Sequence, residues 1–479
     1  MIDLSTYIRS QDKKVFAVLG LGRSGLTAAC ALAQSGAEVW AWDDNIQGRE
    51  KATDAGLKIV NLNDCDWEKV HSLVMSPGIP LTHPKPHPVA AAAKKNAVEI
   101  ICEVELLYRA CPHATFVGIT GTNGKSTTTS LIAHILKTAG QKVAVGGNLG
   151  TPALELPDLD HEGVYVLEMS SYQLDLLEHL VFDISLFMNI SPDHLDRHGD
   201  MQGYIKAKKH IFDRQTKSQT AIIGIDDEES RAVFDQINVE SKIKTIPISG
   251  HIRLAEGVFV SQGHLTDDCF IPTNTTAEEI VDLNTIERLP GVHNHQNAAA
   301  AFATCRSLGL SNAEIISGMA SFPGLAHRQE LVMIKNGIRY INDSKATNAD
   351  AAARALGSYD NIYWIAGGLA KEGGIEDLDP YFNRIRRAYL IGDCAKDFAT
   401  QLDKAVSYEL CETLDRAVKK AANDAAQDGY KDAVVLLSPA CASWDQYRSF
   451  ELRGDHFKQC VNEIVSPSGA RNQHGSIAS

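Results

Sequence analysis

Residues 118–136, GITGTNGKSTTTSLIAHIL, place glycines, a lysine and a run of hydroxyls where a helix should begin. Gly121 and Gly124 let a backbone turn tightly and come close to a ligand. A helix opening near Lys125 would aim its unbonded N–H groups and the positive end of its dipole at an anion. Lys125 adds a point charge, and the Ser126 or Thr127 hydroxyl suits Mg²⁺. The chemistry in prospect is binding of a phosphate chain. The spacing is not that of the common phosphate loop, G-x-x-x-x-G-K-[ST], which wants glycine at 119, where Ile119 stands. The competing reading is an ordinary glycine turn before a helix. It leaves the order of strand, glycines, Lys-Ser and helix as a coincidence.

A second glycine turn, Gly20-Leu21-Gly22-Arg23-Ser24-Gly25, separates an expected strand from an expected helix, with Asp43 and Asp44 ending the next strand. Three readings fit: a dinucleotide site, a bare strand-to-helix turn, or a site for another nucleotide diphosphate. Glu168 closes the apolar run VYVL, and His194 follows another such run in NISPDHLDRHG. Both sit where α/β proteins place ligands, at the carboxyl ends of strands, and either could hold Mg²⁺ or its water. Lys208, in YIKAKKHIF, reads from composition alone as a solvated helix lysine. Three further polar or glycine-rich stretches are NDSKATNAD, AGGLAKEGG with Lys371, and LSPACASWDQYRSFELRG with Ser443 and Phe450. They suggest an anion-friendly pocket without naming its ligand.

These residues need strands to carry them. Short apolar runs suited to buried parallel strands begin at 15–19 and recur as EVWAWDD, SLVMSPGI, KVAVGGN, GVYVLEMSS, ISLFMNI, GIRYINDS, NIYWIAGG, RAYLIGD and AVVLLSPA, with helical stretches between them. Residues 80–88, PLTHPKPHP, read as a surface loop, 241–290 as a small antiparallel insert, and HNHQNAAAAFATCRSLG as a helix. The chain of 479 residues exceeds one ordinary core. The expected fold class is α/β with three domains in series, divided at 1–103, 104–323 and 324–465, before a small polar tail at 466–479 expected to be disordered. A net charge of −14 argues against a general nucleic-acid binder. The ten cysteines contain no C-x-x-C pair, which disfavours a zinc ribbon and fits reduced thiols. No apolar h-region opens the chain and no stretch reaches membrane-spanning length, so a cytoplasmic protein without membrane insertion is expected.

Taken together, GITGTNGKSTTT, GGNLGTP, LEMSSYQLD, NISPDHLDRHG, GVHNHQNAAAA, HRQE, INDSKATN and LSPACASWDQY resemble the Mur ligase family, across all but the last dozen or so residues. Asn123 in the loop, DSKATN at 343–348 and the lack of a D-N-P-R signature resemble its D-glutamate-adding members. The resemblance implies a Rossmann-like N-terminal domain, a P-loop-type central ATPase domain with a mostly parallel sheet, and a Rossmann-like C-terminal domain. It implies ATP, two Mg²⁺ ions, UDP-MurNAc-L-Ala and D-glutamate as ligands, and a monomer. It assigns ATP to Gly121, Thr122, Asn123, Gly124, Lys125, Ser126 and Thr127, with Asn294 and Asn297 at the adenine and Arg328 and Asp343 at the ribose and phosphates. Ser126 or Thr127 with Glu168 would hold one Mg²⁺ and His194 the second, with Lys208 carbamylated into an oxygen ligand. Gly22, Arg23 and Ser24 would meet the UDP diphosphate, and residues from Asp43 to Asn45 the uracil end. Asn148 and Lys345 would touch the muramoyl substrate or the acyl phosphate. Thr347, Lys371, Ser443 and Phe450 would form the D-glutamate pocket.

Overall fold

A computed structural model describes residues 1–148, 150–240, 242–272, 275–286, 288–289, 291–370 and 374–465. The chain forms two compact units: Met1–Glu287 with Val292–Phe322, and Arg288–Gly291 with the chain from Pro323 onward.

The first unit holds two sheets. Strands β1 (Val15–Leu19), β2 (Glu38–Trp42), β3 (Val70–Met75) and β4 (Glu99–Ile101) make a four-stranded sheet in the order β2-β1-β3-β4, parallel throughout. The next strands are β5 (Thr115–Thr120), β6 (Lys142–Gly147), β7 (Gly163–Glu168), β8 (Ile184–Phe187), β9 (Thr220–Gly224), β10 (Lys244–Ser249), β11 (Val258–Ser261), β12 (His264–Asp267) and β13 (Glu278–Asp282). They form a nine-stranded sheet in the order β13-β12-β11-β10-β9-β8-β5-β7-β6. Only the β11–β12 and β12–β13 pairings are antiparallel. The expected insert is therefore the edge of this sheet, and its first strand, β10, still pairs in parallel with β9.

The apolar runs are buried because helices cover the parallel sheets. Phe16, Ala17 and Val18 of β1 and Val117 and Ile119 of β5 are fully buried. The chain leaves β5 toward β7 and β6 on one side and β8 on the other. The loop after β5 thus sits at a switch in strand order, where open α/β sheets bind ligands. The turn after β1 occupies the same kind of switch between β2 and β3.

The second unit has β14 (Glu330–Lys335), β15 (Ile338–Asn342), β16 (Ile362–Gly367), β17 (Ile385–Ile391), β18 (Tyr408–Glu412) and β19 (Val434–Leu437), in the order β14-β15-β19-β16-β17-β18. Only the edge pairing β14–β15 is antiparallel. β15, β19 and β16 are adjacent and parallel, so the segments after Asn342, Leu437 and Gly367 leave from the same side of the sheet. Among the described residues, no helix is long and apolar enough to cross a membrane.

Candidate active site

The three glycines of the opening motif have separate jobs. Gly118 lies inside β5, where a Cβ would come within 2.6 Å of the Phe182 ring, so its role is packing. Gly121, at φ +148°, passes the Met188 side chain, which a Cβ there would approach to 2.8 Å. Gly124 takes a left-handed φ of +80°, and a Cβ on it would strike the Asn297 carboxamide oxygen. Gly124 also begins the helix Lys125–Thr138, and no side chain caps that end. A helix start of this kind presents its first-turn N–H groups to an anion.

The loop is held from β8 and from the helix His293–Ser307. Asn189 Oδ1 accepts the Asn123 N–H at 2.8 Å, its Nδ2 donates to Asn123 O at 3.2 Å, and its backbone carbonyl accepts the Thr122 N–H at 2.9 Å. Asn189 Nδ2 also donates to Gln296 Oε1 at 2.8 Å, and Gln296 donates to Asp226 at 2.9 Å. Thr128 donates to Asn297 Oδ1 at 3.2 Å, and Asn297 Nδ2 to Asn294 Oδ1 at 2.9 Å. The residues expected at the adenine are thereby tied to the helix that the phosphate loop opens. Lys125 Nζ donates to the carbonyls of Gly121 (2.8 Å) and Thr122 (2.9 Å), folded over its own loop.

Around the loop stand the expected metal ligands. Glu168, buried at the end of β7, accepts Asn148 Nδ2 at 2.7 Å on Oε1. Its Oε2 is buried with no hydrogen-bond partner. A carboxylate oxygen left bare inside a protein is costly unless a cation or donor meets it. This atom therefore fits a bound divalent cation.

Lys208 overturns the reading from composition. It is 2% exposed. Its Nζ donates to Gly121 O at 2.9 Å and lies 4.6 Å from the centre of the Tyr204 ring. Burial, reinforced by the neighbouring Lys125 charge, lowers its pKa well below the usual lysine value. The helix Met201–Lys209 turns this lysine inward together with Tyr204, four residues earlier, whose hydroxyl meets Thr122 Oγ1 at 3.3 Å. Lys208 is thus a buried lysine whose charged form is disfavoured, set against the phosphate-type loop rather than in solvent.

His194 has a left-handed φ of +53° and a half-exposed side chain, its ring 5.2 Å from Tyr172 and 6.5 Å from Tyr204. Sequence reasoning missed His198. It is buried, bonds Ser171 Oγ at 2.9 Å and stacks on Tyr172 at 5.4 Å. Burial, with the Lys208 charge, drops its pKa to about 4. Asn189, Gln296 and Tyr204 were missed as well. The i to i+4 spacing of Tyr204 and Lys208 was the one available signal. Among the described residues, no group of three His, Cys, Asp or Glu side chains converges as a metal cluster. A cation here would lean on hydroxyl, carboxylate and phosphate oxygens, as Mg²⁺ does.

At the turn after β1, Gly25 lets the helix Arg23–Gln34 lie against the Gly20 carbonyl, which a Cβ would strike. Arg23 is exposed and Ser24 half-buried at the helix start, after Gly22. Asp43 does not project as a lone acid. One oxygen accepts the Leu21 N–H and the other the Asn45 N–H at 2.8 Å, so it braces the turn itself. Asp44 pairs with His87 at 2.9 Å.

In the second unit, Asp343 follows β15 and is 4% exposed. Its oxygens accept the Gln329 N–H at 3.1 Å and the Ser438 hydroxyl at 2.8 Å. Burial outweighs these bonds and pushes its pKa up to about 7. Arg328 precedes the positive-φ residue Gln329 and acts on Asp343 through its charge. Lys345 Nζ lies 5.8 Å from the Phe450 ring centre. Thr347 N donates to Lys345 O at 2.9 Å, and Ser443 is buried after β19. Lys371 lies outside the described residues, as does the tail 466–479.

Known proteins resemble most of the chain. Residues 119–305 match the Mur ligase middle domain, and residues 327–441 the Mur ligase glutamate ligase domain. The chain is 50% identical over 444 residues to the UDP-N-acetylmuramoylalanine–D-glutamate ligase of Paramagnetospirillum magneticum, covering 93% of this chain and 95% of that one. It is 47% identical over 468 residues to the protein of that name from Caulobacter vibrioides, covering 96% and 98%. Among solved structures, the UDP-N-acetylmuramate–alanine ligase MurC of Thermotoga maritima aligns at a TM-score of 0.55 and 17% identity, covering 94% of this chain and 99% of that one. At that identity it supports the fold alone.

Proposed function

The chain belongs to the Mur ligase family, and on that premise we infer that it is an ATP-dependent, ADP-forming ligase of peptidoglycan precursor synthesis. It joins D-glutamate to UDP-N-acetylmuramoyl-L-alanine. The observation that carries this reading is 50% identity across 93% of the chain with a protein of that name. The site chemistry agrees with it. A carboxylate is a poor electrophile, and transfer of the ATP γ-phosphoryl group makes it an acyl phosphate. The amine of D-glutamate then attacks, and phosphate leaves from the tetrahedral intermediate. Both reacting groups are anionic, so the positive groups of the loop are needed to bring them together.

In this reading Gly121, Thr122, Asn123, Gly124, Ser126 and Thr127 cradle the phosphates through backbone and hydroxyl groups. Lys125 swings from its own loop carbonyls onto the β- and γ-phosphates. Asn294 and Asn297 face the adenine, and Arg328 and Asp343 the ribose and phosphates. Ser126 and Glu168 hold one Mg²⁺ and His194 a second, supplying charge neutralisation for the phosphoryl group. Lys208 Nζ adds to CO₂ and loses a proton, becoming a carbamate whose oxygens suit the same metal. Gly22, Arg23 and Ser24 receive the UDP diphosphate, with Asp43 bracing that turn and the 43–45 segment at the uracil. Asn148, through its hold on Glu168, and Lys345 position the muramoyl carboxyl group. Thr347, Lys371, Ser443 and Phe450 take the D-glutamate.

The same reading divides the chain into a UDP-end domain (1–103), an ATP-binding domain (104–323) and an amino-acid-binding domain (324–465). It makes the enzyme a cytoplasmic monomer, a state that size-exclusion chromatography with light scattering would check. Incubation with ATP, Mg²⁺, UDP-MurNAc-L-Ala and D-glutamate should yield the amide product by mass spectrometry with equimolar phosphate. Failure to form that amide under saturating substrates would overturn the reading.

A further inference from the structure

Arg453, on the helix Phe450–Val465, is 1% exposed and has no carboxylate within ion-pair distance among the described residues. Its donors go to neutral oxygens. Nε meets Ser344 Oγ at 3.0 Å, and one terminal nitrogen meets Ser344 O at 2.9 Å and Cys441 O at 3.1 Å. The other meets Ala442 O at 3.3 Å. That carbonyl also accepts the Leu369 N–H at 2.9 Å. Gly368 lies so close that a Cβ on it would be 3.2 Å from the guanidinium and would strike Ala442 O. One side chain therefore pins the segments leaving the ends of β15 and β19, and the segment after β16 joins them through the shared Ala442 carbonyl. Ser344 passes the constraint on, donating from Oγ to Phe450 O at 2.8 Å. Burial lowers the Arg453 pKa only to about 10, so the cation persists at neutral pH. A buried charge without a counter-ion is destabilising by itself and costs the fold something to keep.

We infer that Arg453 is a positioning residue for the acceptor amino acid. Its planar fork fixes the segments bearing Lys345, Thr347 and Ser443, and its unmatched charge favours an acceptor carrying two carboxylates. The inference rests on the D-glutamate reading above. Five donors in one plane can bridge two strand ends at once, whereas a lysine ammonium is a single point.

The test is steady-state kinetics on the full chain. Arg453→Lys keeps the charge and loses the fork, and should raise the KM for D-glutamate about tenfold. Arg453→Met loses both and should raise it about a hundredfold. KM for ATP and for UDP-MurNAc-L-Ala should rise by less than that for D-glutamate, since Asp343 and Lys345 flank Ser344 on the same segment. Should the arginine variants fail to fold, Ser344→Ala removes one acceptor at small cost in volume and should raise the same KM about threefold. A D-glutamate KM unchanged in Ser344→Ala and in any folded arginine variant would overturn the inference, as would an equal rise for ATP. Wild-type protein that does not use D-glutamate would instead overturn the underlying reading.

Discussion

At the strand ends of the first unit the group taken out of water is an amine, and at those of the second it is an acid. Burial, with Lys125 nearby, drives the Lys208 pKa well down, while burial drives the Asp343 pKa up to about 7. The physical cause is the same, since a low-dielectric setting disfavours whichever form is charged. The consequences differ in sign. At Lys208 burial favours the free amine, the form that the proposed carbamate requires. At Asp343 burial favours the neutral acid, which lessens the negative charge where the ATP phosphates are proposed to lie. Each unit suppresses the charge that would oppose its own ligand.

The largest break should come in the first unit. Lys125→Ala removes the one loop side chain that can neutralise the transferring phosphate, and should lower kcat about a thousandfold by phosphate-release kinetics. Lys208→Ala should lower kcat about a hundredfold, with recovery by added short carboxylic acids that replace the carbamate oxygens. Full activity of that variant in bicarbonate-free buffer would contradict the proposed carbamate.

Stability against pH sharpens the contrast. The folded pKa of Asp343 lies above its ordinary 3.8, so between about pH 4 and 7 the native state binds the extra proton and stability falls as pH rises. A shift of that size corresponds to at most about 4 kcal/mol. Asp343→Asn removes the titration, and its urea-unfolding midpoint at pH 8 should rise relative to wild type. His198 works the other way. Its folded pKa of about 4 lies below the ordinary 6.5, so the unfolded chain binds the extra proton and stability is lost as pH falls through that window. His198→Gln should flatten this acid-side loss, worth at most about 3 kcal/mol, in the same unfolding assay.

The strands that carry the sites were legible because buried parallel strands read as apolar runs: β1, β2, β7 and β16 all fall where those runs are. β10 was misread as part of an antiparallel insert because pairing direction is a property of neighbours, not of a segment's own residues. The phosphate loop was legible from its glycines and lysine. What the residues could not say is that Gly118 packs on Phe182 while Gly121 and Gly124 shape the loop. Lys208 was misread from composition because YIKAKKHIF offers several lysines, and only packing decides which one faces inward. Arg453 was silent for the same reason. An arginine in a charged helix carries no mark that its partners are the segments after two strands.

The central claim is the identity of the acceptor, and a panel of amino acids measured by phosphate release with ATP, Mg²⁺ and UDP-MurNAc-L-Ala tests it most directly. The account predicts turnover with D-glutamate and background rates with L-alanine, L-glutamate and diamino acids. Turnover with L-alanine or a diamino acid and none with D-glutamate would contradict it.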